Sequence, residues 1–205
     1  DGGEAEMCGN GARCFGNFAA ALLHHDKSAP LPFETMAGIV TATFEKDGNV
    51  TVNLTDPHSL QLFVLNADPA VGADVHFLNT GVPHAVAFLD KLDGLDVPRL
   101  GAYLRYHSAF SPKGTNANFA RILSPGHIAI RTYERGVEDE TLACGTGITA
   151  CALLHAVLTD APSPIQVDVA GGDTLKVGFQ RTGDRFTDVT LTGPADLVFT
   201  GDIQI

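Results

Sequence analysis

One pattern occurs twice along this chain, in the same order. Glu4-Ala5-Glu6-Met7-Cys8-Gly9-Asn10-Gly11 is echoed by Glu140-Thr141-Leu142-Ala143-Cys144-Gly145-Thr146-Gly147. Each is followed by an apolar helical stretch with a second cysteine, Cys14 or Cys151. A strand pair holding Ala-Gly comes next (Ala37-Gly38, Ala170-Gly171), and then a Thr-x-Pro (Thr55-Asp56-Pro57, Thr192-Gly193-Pro194). Ordered landmarks of this kind imply an internal duplication. The fold class that follows is α/β (α+β): two pseudo-symmetric lobes, each a strand-rich sheet wrapped around a central helix. The first lobe is assigned residues 1–69 with 196–205 and the second residues 70–195. About 70 residues precede the Cys-Gly turn in the second copy and seven in the first. By symmetry, several dozen residues of the first lobe are expected to lie ahead of this chain.

Local patterning supplies the elements. Residues 9–25 read as a helix with Cys14, Phe15, Phe18, Ala19, Leu22 and Leu23 on its apolar face. Asp26 to Pro30 stop it. Runs 39–45 and 50–55 alternate and are joined by Lys46-Asp47-Gly48-Asn49, a hairpin signal. Residues 56–72, with Pro57, Pro69 and Gly72, read as a crossing to the second lobe. There, strands are expected near 75–78, 85–89, 128–133, 165–169, 175–180, 187–192 and 197–199, with a helix over 96–107. Residues 145–158 are apolar nearly all round, which predicts a central buried helix.

Composition removes several function classes. Asp plus Glu is 24 against 13 Lys plus Arg, a net charge of −11. Nucleic-acid backbones and anionic membranes need the opposite balance. No apolar run reaches the roughly 18 residues of a transmembrane helix. Asp1-Gly2-Gly3-Glu4 has neither the basic nor the apolar part of a signal peptide, and without Met it reads as a start inside a longer protein. Four cysteines in 205 residues are no disulfide scaffold, so reduced thiols and a cytoplasmic location are expected.

The repeated Cys-Gly-x-Gly carries the chemistry. Glycines permit a tight turn that leaves N–H groups uncovered. The first N–H groups of a helix lack internal partners and the helix dipole adds positive charge, which together make a carboxylate site. The same field is expected to lower a thiol pKa from about 8.5 toward neutrality. Two such helix starts facing one cleft would flank an α-carbon with two sulfurs. One removes the α-proton and the other returns a proton to the opposite face. A lone cysteine at a helix start is usually a small buried hydrophobe; two in matching repeat positions favour function. Cys14 and Cys151 lie on apolar faces and read as structural. The cysteine spacings do not suit a zinc site, so no metal is expected.

Residues 4–14, Glu-Ala-Glu-Met-Cys-Gly-Asn-Gly-Ala-Arg-Cys, and residues 133–147, Tyr-Glu-Arg-Gly-Val-Glu-Asp-Glu-Thr-Leu-Ala-Cys-Gly-Thr-Gly, resemble the two signatures of the diaminopimelate epimerases. The likeness runs over the whole chain. It implies an isomerase that interconverts LL- and meso-diaminopimelate for lysine and peptidoglycan precursor synthesis, with no cofactor and no pyridoxal phosphate, and a homodimer. The resemblance makes Cys8 and Cys144 the acid/base pair. It assigns the α-carboxylate to Gly9, Asn10, Gly145 and Thr146. It assigns the distal end of the substrate to Glu134 and Arg135, and a further substrate contact to Asn116. His84, in Gly81-Val82-Pro83-His84, matches a motif histidine. Val82 stands where the motif commonly has a substrate-contacting Asn, with Asn79 or Thr80 as replacements, and Gly3 stands where Ser is frequent. A racemase of another amino acid on the same fold, or an inactive fragment, are the alternatives. Glu134-Arg135 favours the epimerase, because a substrate without a distal amino-acid group needs neither.

Overall fold

The computed structural model describes residues 8–202, and the Glu4–Met7 part of the first signature and Gly3 lie outside them. Three α-helices and twelve strands follow in the order α1 (Gly9–Leu22), β1 (Leu31–Thr35), β2 (Gly38–Phe44), β3 (Val50–Asn53), β4 (His58–Asp68), β5 (Ala73–Asn79), β6 (Pro83–Phe88), α2 (Val97–Arg105), β7 (Asn116–Ser124), β8 (His127–Glu134), β9 (Asp139–Thr141), α3 (Gly145–Thr159), β10 (Ile165–Asp168), β11 (Thr174–Thr182) and β12 (Arg185–Gly193). Eleven strands form one path, β1-β2-β3-β12-β11-β10-β8-β7-β6-β5-β4, with β9 beside β8. The β6–β7 and β8–β10 pairs are parallel, spanned by α2 and α3, and the rest are antiparallel.

The sheet curls around α3, which packs on β5, β6, β7, β8, β10, β11 and β12. Residues Gly145–Ala156 are all buried. Its apolar circumference therefore meets strands on every side, as the pattern of 145–158 predicts. The main core forms here, from Ile148, Leu153 and Leu154 with Ile128, Ile165 and Leu191.

Helix α1 departs from expectation. Its buried stripe is Gly9, Ala12, Arg13, Gly16 and Ala20. The predicted core face is turned outward: Phe15 is 49% exposed, Phe18 61% and Leu22 66%, and Cys14 is exposed as well. The cause is close approach. A Cβ on Gly16 would lie 2.6 Å from the Ala42 Cβ of β2, so only small residues fit between helix and sheet.

Other regions also differ. Residues 56–72, expected as a crossing, hold the eleven-residue edge strand β4, paired with β5. Its register shifts coincide with positive φ at Ser59, Phe63 and Ala67. Side chains of β5 fill two of the gaps: His76 Nδ1 accepts from the Phe63 N–H at 3.2 Å and Asp74 from the Ala67 N–H at 2.7 Å. Such bulges hide a strand from any period-two reading. Residues 116–124, for which the sequence predicts no strand, form β7, opened by Asn116. Residues 197–199, expected as a strand, form none; Leu197, Val198 and Phe199 are 75–86% exposed.

Helix α2 starts on Asp96, whose side chain accepts from the Arg99 N–H at 3.2 Å, with Pro98 in its first turn. Its contact with β8 depends on Gly101, because a Cβ there would overlap Tyr133 Cβ. Gly101→Ala must therefore move the helix off β8, and overpacking of this kind costs about 1–3 kcal/mol. The expected result is a lower urea midpoint with the m-value retained. An unchanged midpoint would show that the contact yields freely.

Candidate active site

The two cysteines cap the two helices that run into one another. Cys8 (φ −134°, ψ 102°) precedes α1 and Cys144 (φ −119°, ψ 109°) precedes α3 with nearly the same extended backbone. The helix starts touch at their first glycines. A Cβ on Gly145 would lie 3.1 Å from Gly9 Cα, and one on Gly9 would lie 2.9 Å from Leu191 Cδ2 and 3.5 Å from Gly145 Cα. A side chain at Gly145 would press on the Gly9 backbone, and one at Gly9 would press on Leu191. Asn10 Nδ2 donates to the Ala143 carbonyl at 3.3 Å, tying the first helix start to the residue before Cys144. Gly9, Asn10, Gly145 and Thr146 are thereby gathered at one place, at the positive ends of two helices.

The sulfurs differ in surroundings. Cys8 is exposed and its Sγ accepts the Gly11 N–H at 3.3 Å. Cys144 is 7% exposed, with Sγ 3.4 Å from Thr146 Oγ1. Burial, then the charge of Glu134, push the Cys144 thiol up to about 11, and Thr146 and the Gly147 N–H oppose this without overcoming it. At this cysteine the expected lowering by the helix start is reversed, because desolvation of a buried thiolate outweighs the helix field. Cys151, fully buried within α3, is pushed up further by the same cause.

The remaining expected residues lie on strands around α3. Glu134 ends β8 and is close enough to Cys144 to act on its thiol. Arg135 follows it; its Nη1 donates to the Lys113 carbonyl at 3.3 Å. Asn116 is 3% exposed, with its Oδ1 accepting the Arg135 N–H at 2.8 Å and its Nδ2 donating to the Pro83 carbonyl at 3.0 Å. Its amide thus fastens the backbone that carries Arg135. A cavity of about 380 Å³ opens beside Arg135, walled also by Phe77, Asn79, Gly81, Val82 and Phe110. Neither cysteine lines it. Thr80 connects the two places: its buried hydroxyl donates to the Thr146 carbonyl at 2.9 Å. Asn79 keeps its side chain on the cavity, with Oδ1 accepting the Gly81 N–H at 3.0 Å.

His84 is fully buried beneath the first turn of α3, its Cε1 3.3 Å from where a Gly147 Cβ would lie. Burial, then the charge of Arg135, lower its pKa to about 3, so the ring is neutral at physiological pH.

Three residues were missed in the sequence. Asn118 and Thr132 form a buried chain with His84: Asn118 Nδ2 is 3.1 Å from His84 Nδ1, and Thr132 donates to Asn118 Oδ1 at 3.0 Å. Had 116–124 been read as a strand, Asn118 would have followed Asn116 onto the same face. Arg13, 5% exposed, donates to the Gly9 carbonyl, Asn10 Oδ1 and the Pro194 carbonyl. It joins the first helix start to the Thr-x-Pro after β12. A charged residue inside the signature was the available sign.

Comparison with known proteins gives this arrangement its family. The family model described as diaminopimelate epimerase matches residues 76–198. A diaminopimelate epimerase of Hydrogenobaculum sp. is 43% identical over 98% of this chain and 71% of its own length. Those of Aquifex aeolicus and Chlorobaculum tepidum are 40% and 41% identical over all of this chain and 72% and 77% of theirs. Among solved structures, a probable proline racemase of Agrobacterium radiobacter superposes with a TM-score of 0.64 at 21% identity, over 92% of this chain and 65% of that one. A phenazine biosynthesis protein of the PhzF family from Enterococcus faecalis gives 0.66 at 13%, over 98% and 75%. These two likenesses speak for the fold alone. With its relatives alike over nearly its whole length, the chain belongs to the diaminopimelate epimerase family.

Proposed function

We propose that this chain interconverts LL- and meso-diaminopimelate by a two-thiol acid/base reaction, in lysine and peptidoglycan precursor synthesis. The observation that carries the reading is the contact of the two Cys-capped helix starts at Gly9 and Gly145. The substrate α-carboxylate is held by the free N–H groups of Gly9, Asn10, Gly145 and Thr146. Cys8 as thiolate takes the α-proton. Cys144, which burial keeps as the thiol, returns a proton to the opposite face, and the roles exchange in the reverse direction. The helix N–H groups stabilise charge that spreads into the carboxylate as the α-carbon loses its proton. Both sulfurs must stay free, which suits a reducing compartment such as the cytoplasm.

The distal ammonium and carboxylate of the substrate go to Glu134 and Arg135. Val82 offers no polar contact, and the Thr80 hydroxyl is spent on the Thr146 carbonyl. Asn79, on the cavity wall beside Arg135, supplies the amide that Val82 lacks.

Incubation with LL-diaminopimelate in deuterium oxide tests the reading. Meso-diaminopimelate carrying deuterium at the α-carbon is the expected product. Exchange with proline or another amino acid lacking a distal amino-acid group, and none with diaminopimelate, would make the chain a different racemase. Arg135→Gln removes a charge-assisted contact of about 1.5–3 kcal/mol and is expected to raise KM about tenfold or more. Asn79→Ala should raise KM in the same direction by less. An unchanged KM in either variant removes that residue from the distal site.

A further inference from the structure

We propose that Asn118 is a positioning residue that holds His84 as its Nε2–H tautomer, so that His84 offers the site a hydrogen-bond donor and not a base. The proposal rests on the site described above and assigns a role to a residue outside it.

The argument is one of donors and acceptors. Strands β6, β7 and β8 lie side by side, with His84 opposite Asn116, Val86 opposite Asn118 and Asn118 opposite Thr132. His84 and Asn118 are completely buried and Thr132 is 2% exposed, so bulk solvent does not compete for their bonds. Asn118 Nδ2 lies 3.0 Å from the Ala85 carbonyl, a group that can only accept. That contact fixes which end of the amide is the NH2. The same nitrogen lies 3.1 Å from His84 Nδ1. A donor facing a ring nitrogen requires its lone pair, so Nδ1 carries no proton. At the other end Asn118 Oδ1 accepts the Thr132 hydroxyl at 3.0 Å, which locks the amide against a flip. A neutral imidazole bare at Nδ1 bears its proton on Nε2.

That Nε2 is buried and has no partner among the described residues. A buried donor left unmade is costly, and native structures rarely keep one without a reason. The trio sits against the first turn of α3: a Cβ on Gly147 would lie 2.5 Å from Asn118 Oδ1 and 3.3 Å from His84 Cε1. Cys144 caps that same turn. The Nε2 donor is thus held beside the turn that carries Cys144, where a thiolate or a substrate oxygen would accept from it. Burial and the charge of Arg135 both oppose a second proton on the ring, so the donor persists across the working pH range.

The test is two-bond proton–nitrogen correlation in the 15N-labelled protein without substrate, with the His84 signals assigned by their loss in His84→Gln. A bare Nδ1 and a protonated Nε2, unchanged between pH 8 and 5, are expected; a proton on Nδ1 overturns the proposal. Asn118→Asp replaces the donor by an acceptor and should draw the proton to Nδ1. Wrong-tautomer and outer-shell substitutions elsewhere reduce activity by about tenfold or more, and a fall of that size in kcat with KM little moved is expected here. An unmoved tautomer or an unchanged kcat in Asn118→Asp also overturns it. If that variant does not fold, the measurement on the unaltered protein still decides. The ring signals are read without turnover, so they remain valid even if the two-thiol reaction fails its own test.

Discussion

Replacing Cys144 by alanine is expected to slow epimerisation by about 100- to 10,000-fold, the range of a lost general acid or base, and Cys8→Ala to do the same. The two variants should differ in what they retain. In the proposed reaction each sulfur serves one face of the α-carbon, so an enzyme with one sulfur can still abstract from the epimer that presents its proton to that sulfur. Deuterium exchange without inversion should survive with one stereoisomer in Cys8→Ala and with the other in Cys144→Ala. Inversion at the unaltered rate in either variant would end the two-thiol reading. The same residual isomer in both would show that the sulfurs do not lie on opposite faces. Alkylation at pH 7.5, followed by intact-mass measurement, gives an independent check. Cys144 is buried, with its thiol pushed up to about 11, so it should label far more slowly than exposed Cys8 and gain reactivity as the pH approaches 11. Equal labelling rates would contradict the structure.

The duplication made the two helix starts legible because each is a local event: a cysteine, two glycines and an apolar helix adjacent in sequence. Helix α3 was legible for a related reason, since a helix apolar all round has only one place to go. Helix α1 was not. Its face is decided by how closely β2 approaches Gly16, a property of another element, and larger apolar residues at the same spacing gave the wrong stripe. Strand β4 was hidden by bulges that break alternation every few residues. Within the site, Cys8, Cys144, Glu134 and Arg135 sit in contiguous motifs. The His84–Asn118–Thr132 chain joins three strands across the sheet and has no signature along the chain. The Cys144 pKa went the wrong way because helix-field reasoning from sequence cannot see burial, and here burial dominates.

Stability should fall on acidification well above the range in which carboxylates titrate. His84 is held at about 3 by burial against an ordinary value of 6.5, and burial lowers His76 and His155 in the same direction. All three are at most 4% exposed. Below pH 6.5 the unfolded chain binds protons that the folded protein refuses, so unfolding gains free energy as pH drops. This contribution is complete above 6.5 and is lost as the pH falls toward 3. For His84 alone the loss between pH 6.5 and 4.5 is about 2 kcal/mol, at 1.36 kcal/mol per unit once the half-titrated start at 6.5 is allowed for. The carboxylates of Glu138 and Asp168, also lowered in the folded state, add to the loss only below their ordinary values of 4.5 and 3.8, so the histidines dominate between pH 6.5 and 4.5. Urea unfolding at half-unit steps from pH 8 to 4.5 should therefore show a plateau above 6.5 and a steady decline beneath it. His84→Gln removes ring and charge together. Its absolute stability is expected to drop because the bond with Asn118 is lost, while the slope below pH 6 flattens by one proton. Stability that is level from 6.5 to 4.5, or a slope that His84→Gln leaves unaltered, would mean that His84 accepts a proton in the folded protein. The neutral, donor-only ring beneath α3 would then be wrong as well.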